Sequence, residues 1–291
     1  MRPIDVIRLI CLGAIWGTSF LFMRILSPAI GPLATANFRI LSAGIVLSIY
    51  FFVVGFNPEL KKYWKDYLGV GVVNSAIPFA LFAYGALYLP ASYESILNAT
   101  APLFGALFSW AWLKEEMTWR KFSGLLIATS GVGFVVHLGA VNMSNHFVIA
   151  VIACLGAGFC YGFGGAYIKK YASHIKPMGF AGCSQLLAGL LFIPFTATQH
   201  IPGPITSQII LCALGLSLLC SGIAYILYYQ LIADLGPTSA LTVTFLIPVF
   251  GMLWGHLFLH ETITASMLLG VVLIIWGTWF VLRKSNRVAI R

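Results

Sequence analysis

The chain has 291 residues, 60% of them hydrophobic and only 9% charged, against roughly 25% charged in a soluble domain, which excludes a water-soluble globular fold. A formal net charge of +9 does not mark a nucleic-acid binder, because the Lys and Arg residues sit in short gaps between apolar runs, where membrane orientation accounts for them. Six cysteines fall inside apolar runs without a CxxC spacing, so neither a disulfide framework nor a thiolate metal site is expected.

Ten apolar runs follow one another, each expected to cross a bilayer core of roughly 30 Å as a helix. The first, at about 4–26, has no small-residue cleavage site that stands out and is expected to be retained; it carries Trp16 and ends near Arg24. The second, at about 33–55, holds Arg39 some two turns from its end. The third, at about 67–88, places Asn74, Ser75, Pro78 and Phe79 in one segment. The fourth, at about 91–113, contains Glu94, the one acidic residue well inside an apolar run, with Asn98 and Pro102 on successive turns of the same face. The fifth, at about 119–138, is glycine-spaced, and a short polar linker from Gly139 to His146 leads to the sixth, at about 147–168, where Tyr161 lies in GAGFCYGFGGA. The seventh covers about 177–198, and the eighth, at about 206–233, gathers Ser221, Tyr225, Tyr228, Tyr229 and Gln230. The ninth, at about 237–259, carries Thr244 and Pro248, and the tenth, at about 264–282, precedes a basic tail.

The chain is duplicated. ASYESILNATAPLFGALFSWAWLKEE at 91–116 recurs 146 positions later as PTSALTVTFLIPVFGMLWGHLFLHET, so that Pro102 matches Pro248, Gly105 matches Gly251 and Glu115 matches Glu261. The register continues from Gly124 to Gly270 and from Gly131 to Gly277. Earlier helices repeat more faintly at an offset of 145, Trp16 falling on Tyr161 and Gly44 on Gly189. With the N-terminus in the cytoplasm, all but Arg24 and Arg39 of the seventeen basic residues lie in cytoplasmic segments, as the positive-inside rule requires. Five helices per half force the halves into opposite directions, the inverted repeat common among secondary transporters. The expected fold is therefore an all-α integral membrane protein of ten helices, residues 1–140 forming one five-helix repeat, 146–285 the inverted second and 286–291 a cytoplasmic tail.

These features resemble the EamA-type repeats of the drug/metabolite transporter superfamily. The resemblance rests on WGTSFLFMR in the first run, Leu235 to Pro237 at the start of the ninth, Pro102 and Pro248 with their trailing Glu115 and Glu261, and the glycine-spaced fifth and tenth runs. It implies a carrier of small organic solutes, often an exporter, with a central cavity between the halves. Glu94 departs from it, since that position usually holds a small uncharged residue.

An ionised carboxylate at membrane depth costs several kcal/mol unless paired, so Glu94 is a candidate for proton coupling or for holding a cationic substrate group, with Arg39 as its candidate partner. Solvation at the outer end of its helix is the alternative. The expected substrate site comprises Trp16, Asn74, Phe79, Glu94, Asn98, Tyr161, Tyr225, Tyr229 and Thr244, amphipathic rings and small polar groups suited to an organic solute. Runs 4 and 9 are expected to line the cavity with 1, 3, 6 and 8, leaving 5 and 10 at the periphery. His256 and His260 have ligand-like spacing but no third ligand, so no metal or cofactor is expected, and no GxxxxGK[ST] motif supports ATP-driven transport. The expected partners are a small-molecule substrate, membrane lipid and, as coupling ion, the proton. The expected function is secondary-active transport, with export the expected direction, of a small organic metabolite such as an amino acid or related zwitterion across the cell membrane, by alternating access between the inverted repeats. An intramembrane enzyme, disfavoured by the absence of paired carboxylates or a nucleophile, and a non-transporting binding protein are the alternatives.

Overall fold

A computed structural model of the chain describes residues 2–137, 144–199, 201–236 and 240–282. Among these residues the regular structure is entirely helical: α1 (Pro3–Ile30), α2 (Pro32–Val53), α3 (Leu60–Tyr88), α4 (Ala91–Asn98), α5 (Ala101–Ala111), α6 (Trp119–His137), α7 (Asn145–Tyr171), α8 (Pro177–Ala197), α9 (Ser207–Leu235), α10 (Val243–Leu259) and α11 (Ala265–Leu282). Seven of them, α1, α2, α3, α7, α8, α9 and α11, are long and apolar enough to cross a membrane by themselves. The basic tail and the linker centre at 138–143 lie outside the described residues.

The other three predicted runs depart from simple spans for local reasons. The fourth breaks into α4 and α5 at Ala99 and Thr100, whose amides donate to Ile96 and Leu97 carbonyls three residues back. Pro102 stands in the first turn of α5, where its missing N–H leaves no vacancy. Its twin Pro248 does lie inside α10, which has only 17 residues. Helix α6 begins with Arg120 and Lys121 in its first turn, which lowers its apolar character.

Lipid supplies no hydrophobic force between helices, so they associate where small residues let backbones approach. A Cβ built on Gly124 would lie 2.6 Å from the Gly277 carbonyl oxygen, and one on Gly131 would lie 2.7 Å from that of Gly270. Rising numbers on α6 meet falling numbers on α11, so these repeat-related helices run antiparallel. Helices α2 and α8 do the same, Gly44 meeting Leu186 and Gly189 meeting Leu41. By contrast α1 runs parallel to α10, with Gly13 on Leu246 and Gly17 on Phe250, and α7 runs parallel to α5, with Phe159 on Phe104 and Phe163 on Phe108. Each half therefore packs its first helix on the proline-bearing helix of the other.

This packing makes a contrast measurable. Gly131→Val would push a side chain into the backbone of α11 and should cost about 1–3 kcal/mol, read as a lower unfolding temperature in detergent. Gly133→Ala, where no atom lies within 4 Å of the added carbon, should be neutral or stabilising by up to about 1 kcal/mol.

Candidate functional site

A cavity of about 1130 Å³ lies between the two halves. Three distorted stretches shape it, one of them a wide turn at Phe180–Ser184 in α8. Pro78 cannot donate to the carbonyl four residues back, and the turn before it widens into a π-helix at Val72–Ala76, closed by the Ile77 amide on the Val72 carbonyl. The second half repeats the device at Gly215–Ile223, where the Ser221 hydroxyl donates to the Leu216 carbonyl at 3.1 Å. Phe79 and Tyr225, matched by the duplication, follow these wide turns and both face the cavity.

The wall is aromatic. Trp16 packs on Tyr225 and Tyr228 at ring-centre distances of 6.1 and 5.2 Å; its indole N–H donates to the Cys220 carbonyl at 3.2 Å, which fixes the ring. Phe82 meets Phe20 at 5.5 Å and Tyr161 at 6.4 Å. Of the residues expected at a substrate site, Trp16, Asn74, Phe79 and Asn98 line this cavity, as do Tyr161, Tyr225 and Thr244. The Thr244 hydroxyl is committed to the Leu241 carbonyl at 2.8 Å. Tyr229 lies in α9, but its side chain is outside the described residues.

Arg39 also lines the cavity, and Glu94 does not. The Arg39 guanidinium stacks 4.0 Å over the Phe79 ring. Glu94 is fully buried; Oε1 lies 3.8 Å from Cys154 Sγ and abuts Gly85, while Oε2 has no partner. The two form no ion pair among the described residues, a contact that the sequence leaves open. Arg24, the third outlying charge, donates to the Ala86 carbonyl at 2.5 Å.

The expected division of lining helices is incomplete. Helices α2 and α8 contribute Arg39 and Gln185, and α11 reaches the cavity through Val281 and Leu282. Gln185 escaped notice in the sequence because a lone amide in an apolar run carries no spacing signal. Its Nε2 donates to the Ala181 carbonyl, leaving Oε1 buried without a partner.

The two trailing glutamates, alike in sequence, do different work. Lys114 and His260 occupy the same left-handed conformation, φ 56° in each, and the next amide reaches back to Ser109 or Gly255, a helix end that turns the glutamate across the chain. Glu261 thereby accepts from the Ala91 amide at 2.7 Å and from the Ser92 amide and hydroxyl at 3.0 and 2.6 Å. It caps α4 of the opposite half, where three unpaired donors and the positive end of the helix favour a carboxylate. Glu115 instead pairs with Lys169 at 2.5 Å and Lys121 at 3.4 Å. These three residues border the cavity at one end, and the exposed Lys169 marks that end as its mouth. Lys169 holds the Glu115 carboxyl below the usual carboxylate range. His256 Nδ1 lies 2.9 Å from the Glu261 carbonyl oxygen, so this half of the histidine pair serves the same turn.

Two outcomes follow for the glutamates. Glu261→Ala, which strands the α4 amides, should destabilise by about 1–3 kcal/mol, more than Ser92→Ala, in thermal unfolding. Because the folded-state pKa of Glu115 is depressed, its pairs stabilise above the unfolded carboxylate value and lose their effect as pH falls through the folded one. Glu115→Gln should therefore unfold slightly earlier than the parent at pH 6, with the difference fading as pH falls through the depressed folded-state value of Glu115.

Comparison with known proteins agrees with this architecture. The chain is 28% identical over 93% of its length, and 89% of the relative's, to a Bacillus subtilis protein named "Uncharacterized transporter YvbV". It is 26% identical to an uncharacterized transporter of Archaeoglobus fulgidus, covering 94% of this chain and 95% of that one. "Protein PecM" of Dickeya dadantii shares 24% identity over 89% and 86% of the two chains. A crystal structure with 17% identity superposes with a TM-score of 0.67 across 96% of both chains, which shows the same fold. The EamA-like transporter family matches twice, at residues 5–137 and 148–283, and with nearly the whole chain covered by the two matches, this membrane protein belongs to that family of transporters.

Proposed function

We propose that the protein is a secondary-active exporter of a small organic metabolite, such as an amino acid or related zwitterion, and that it resides in the cell membrane with both termini in the cytoplasm. In this reading residues 1–140 and 146–285 are inverted five-helix repeats, α4 and α5 together make one of ten spans, and rocking of one repeat against the other carries the cavity from face to face. The observation that carries the reading is the one-sided access of a central cavity. Its mouth bears Lys121 and Lys169, cytoplasmic residues by the positive-inside rule, while Glu261 fastens α4 to the end of α10 away from that mouth. A substrate entering from the cytoplasm meets a wall of rings and small polar groups, the usual lining of an organic-solute pocket.

Glu94 is the proposed proton carrier. It is wholly buried and without an ion-pair partner, whereas buried Asp5 is paired with Arg2 at 3.0 Å. It stands one turn before Asn98, which lines the cavity, so a modest movement of α4 would expose it to the same water that admits substrate.

Counterflow in proteoliposomes loaded with a panel of amino acids and related zwitterions tests transport itself, and the expected result is exchange of at least one panel member. Glu94→Gln should keep that exchange but lose accumulation driven by a pH gradient, by at least tenfold. Unchanged gradient-driven accumulation in this variant would remove Glu94 from the coupling role.

A further inference from the structure

We infer that the cavity recognises its cargo by a singly charged carboxylate or similar oxyanion head placed on Arg39, with a flat apolar body laid against the Trp16, Tyr161 and Tyr225 wall. This names the substrate class for the transport reading of the same cavity and rests on it.

Arg39 is only 6% exposed, yet it faces the cavity. Among the described residues no oxygen accepts from its guanidinium. Its neighbours are the Phe79 ring at 4.0 Å and Met23 Sδ at 3.8 Å from Nη1, and Nε has no partner. A buried charge in a membrane-spanning helix is costly unless it is paired. Stacking on one ring offsets only part of that cost, and a thioether is a weak acceptor. The fork of N–H donors is thus left without the carboxylate geometry it fits best.

The carboxylates of the chain are elsewhere. Glu94 is packed against Gly85 and Cys154, Asp5 and Asp234 pair with Arg2 and Arg8, Glu59 pairs with Lys62, and Asp66 accepts from the Tyr167 hydroxyl. Glu115 is held by lysines at the mouth with Glu116 beside it, and Glu261 caps α4. One unneutralised guanidinium balances one negative charge, which favours a monoanion over a phosphate dianion and repels an ammonium. Around it Tyr161, Tyr225 and Cys220 lie within electrostatic reach, and the nearby rings offer flat apolar surface. Two buried amide oxygens without partners, Asn74 Oδ1 and Gln185 Oε1, can accept from a neutral donor or an α-amino group on the same cargo. The cation is therefore read as the anchor, and the amides as accessories.

The experiment compares three probes with one body: 3-phenylpropionate, 3-phenylpropionamide and 3-phenylpropylammonium, titrated calorimetrically into the purified full-length protein. The expected order places the carboxylate at least tenfold tighter than the amide, with the ammonium weakest. Arg39→Met should erase the preference and Arg39→Lys should restore part of it, with the thermal unfolding of each variant reporting an intact fold. Equal binding of amide and carboxylate by the parent, no binding of any probe, or a preference that survives Arg39→Met would overturn the inference. The parent's preference needs no variant and decides the matter even if Arg39→Met does not fold. A clear carboxylate preference without counterflow of 3-phenylpropionate would overturn transport and leave the anchor standing. Counterflow without head-group preference would do the reverse.

Discussion

Hydrocarbon gives two helices no reason to associate, since their side chains are no worse solvated by lipid than by each other. What remains is close contact, and here it is supplied by glycines meeting backbone: Gly124 with Gly277, Gly131 with Gly270, Gly17 with Phe250 and Gly162 with Phe104. Everything else hangs on these contacts. They tie α6 to α11, α2 to α8, and the opening helix of each half to the proline-bearing helix of the other. The space left between them is the cavity. Aromatic rings enter one of these joints, Phe104 and Phe108 of α5 meeting Phe159 and Phe163 of α7, while Trp16, Phe79, Tyr161 and Tyr225 face inward.

The scaffold is nearly symmetric and its local chemistry is not. Gly251 packs against Ser95, whereas a carbon added to its twin Gly105, which borders the cavity, would meet nothing within 4 Å. Glu261 grips the start of α4, and Glu115, at the end of an identically folded turn, is held by lysines. The two ends of the molecule thus differ although the backbones that build them match. A carrier that rests with one end shut and the other accessible needs such a difference, and the duplication provides it without a second fold.

Much of the fold was legible in the sequence because duplication and apolar length are long-range patterns. The match of Pro102 to Pro248 and the glycine register survive whatever the local details become. The break at Ala99 and Thr100 was not legible, because it depends on a proline preferring a first turn over a helix interior, and either choice satisfies the sequence. The ring-lined wall could be read from the cluster on α9 and the polar segment of α3. Glu94 and Arg39 were both visible as charges in apolar runs, but depth along a helix says nothing about which way a side chain points: one faces the cavity and the other Gly85. The hold of Glu261 on α4 across 169 or 170 positions needed the structure, since nothing at Ala91 or Ser92 announces an acceptor.

The exchange of first helices between halves bears on how the chain is made. Helix α1 finds its groove on α10, with Gly17 meeting Phe250, a residue translated about 230 positions later. At roughly 5–20 residues per second, α1 waits on the order of 10–50 s beside the ribosome's exit site with its glycine face uncovered. The second half has no such delay, because α7 is synthesised when α5 is already in place. The nascent first half is therefore the vulnerable species. Quality-control proteases and insertion chaperones would meet it with an open seam, and mutations at Gly13 or Gly17, which obstruct the contact with α10, should leave that seam open after synthesis is complete.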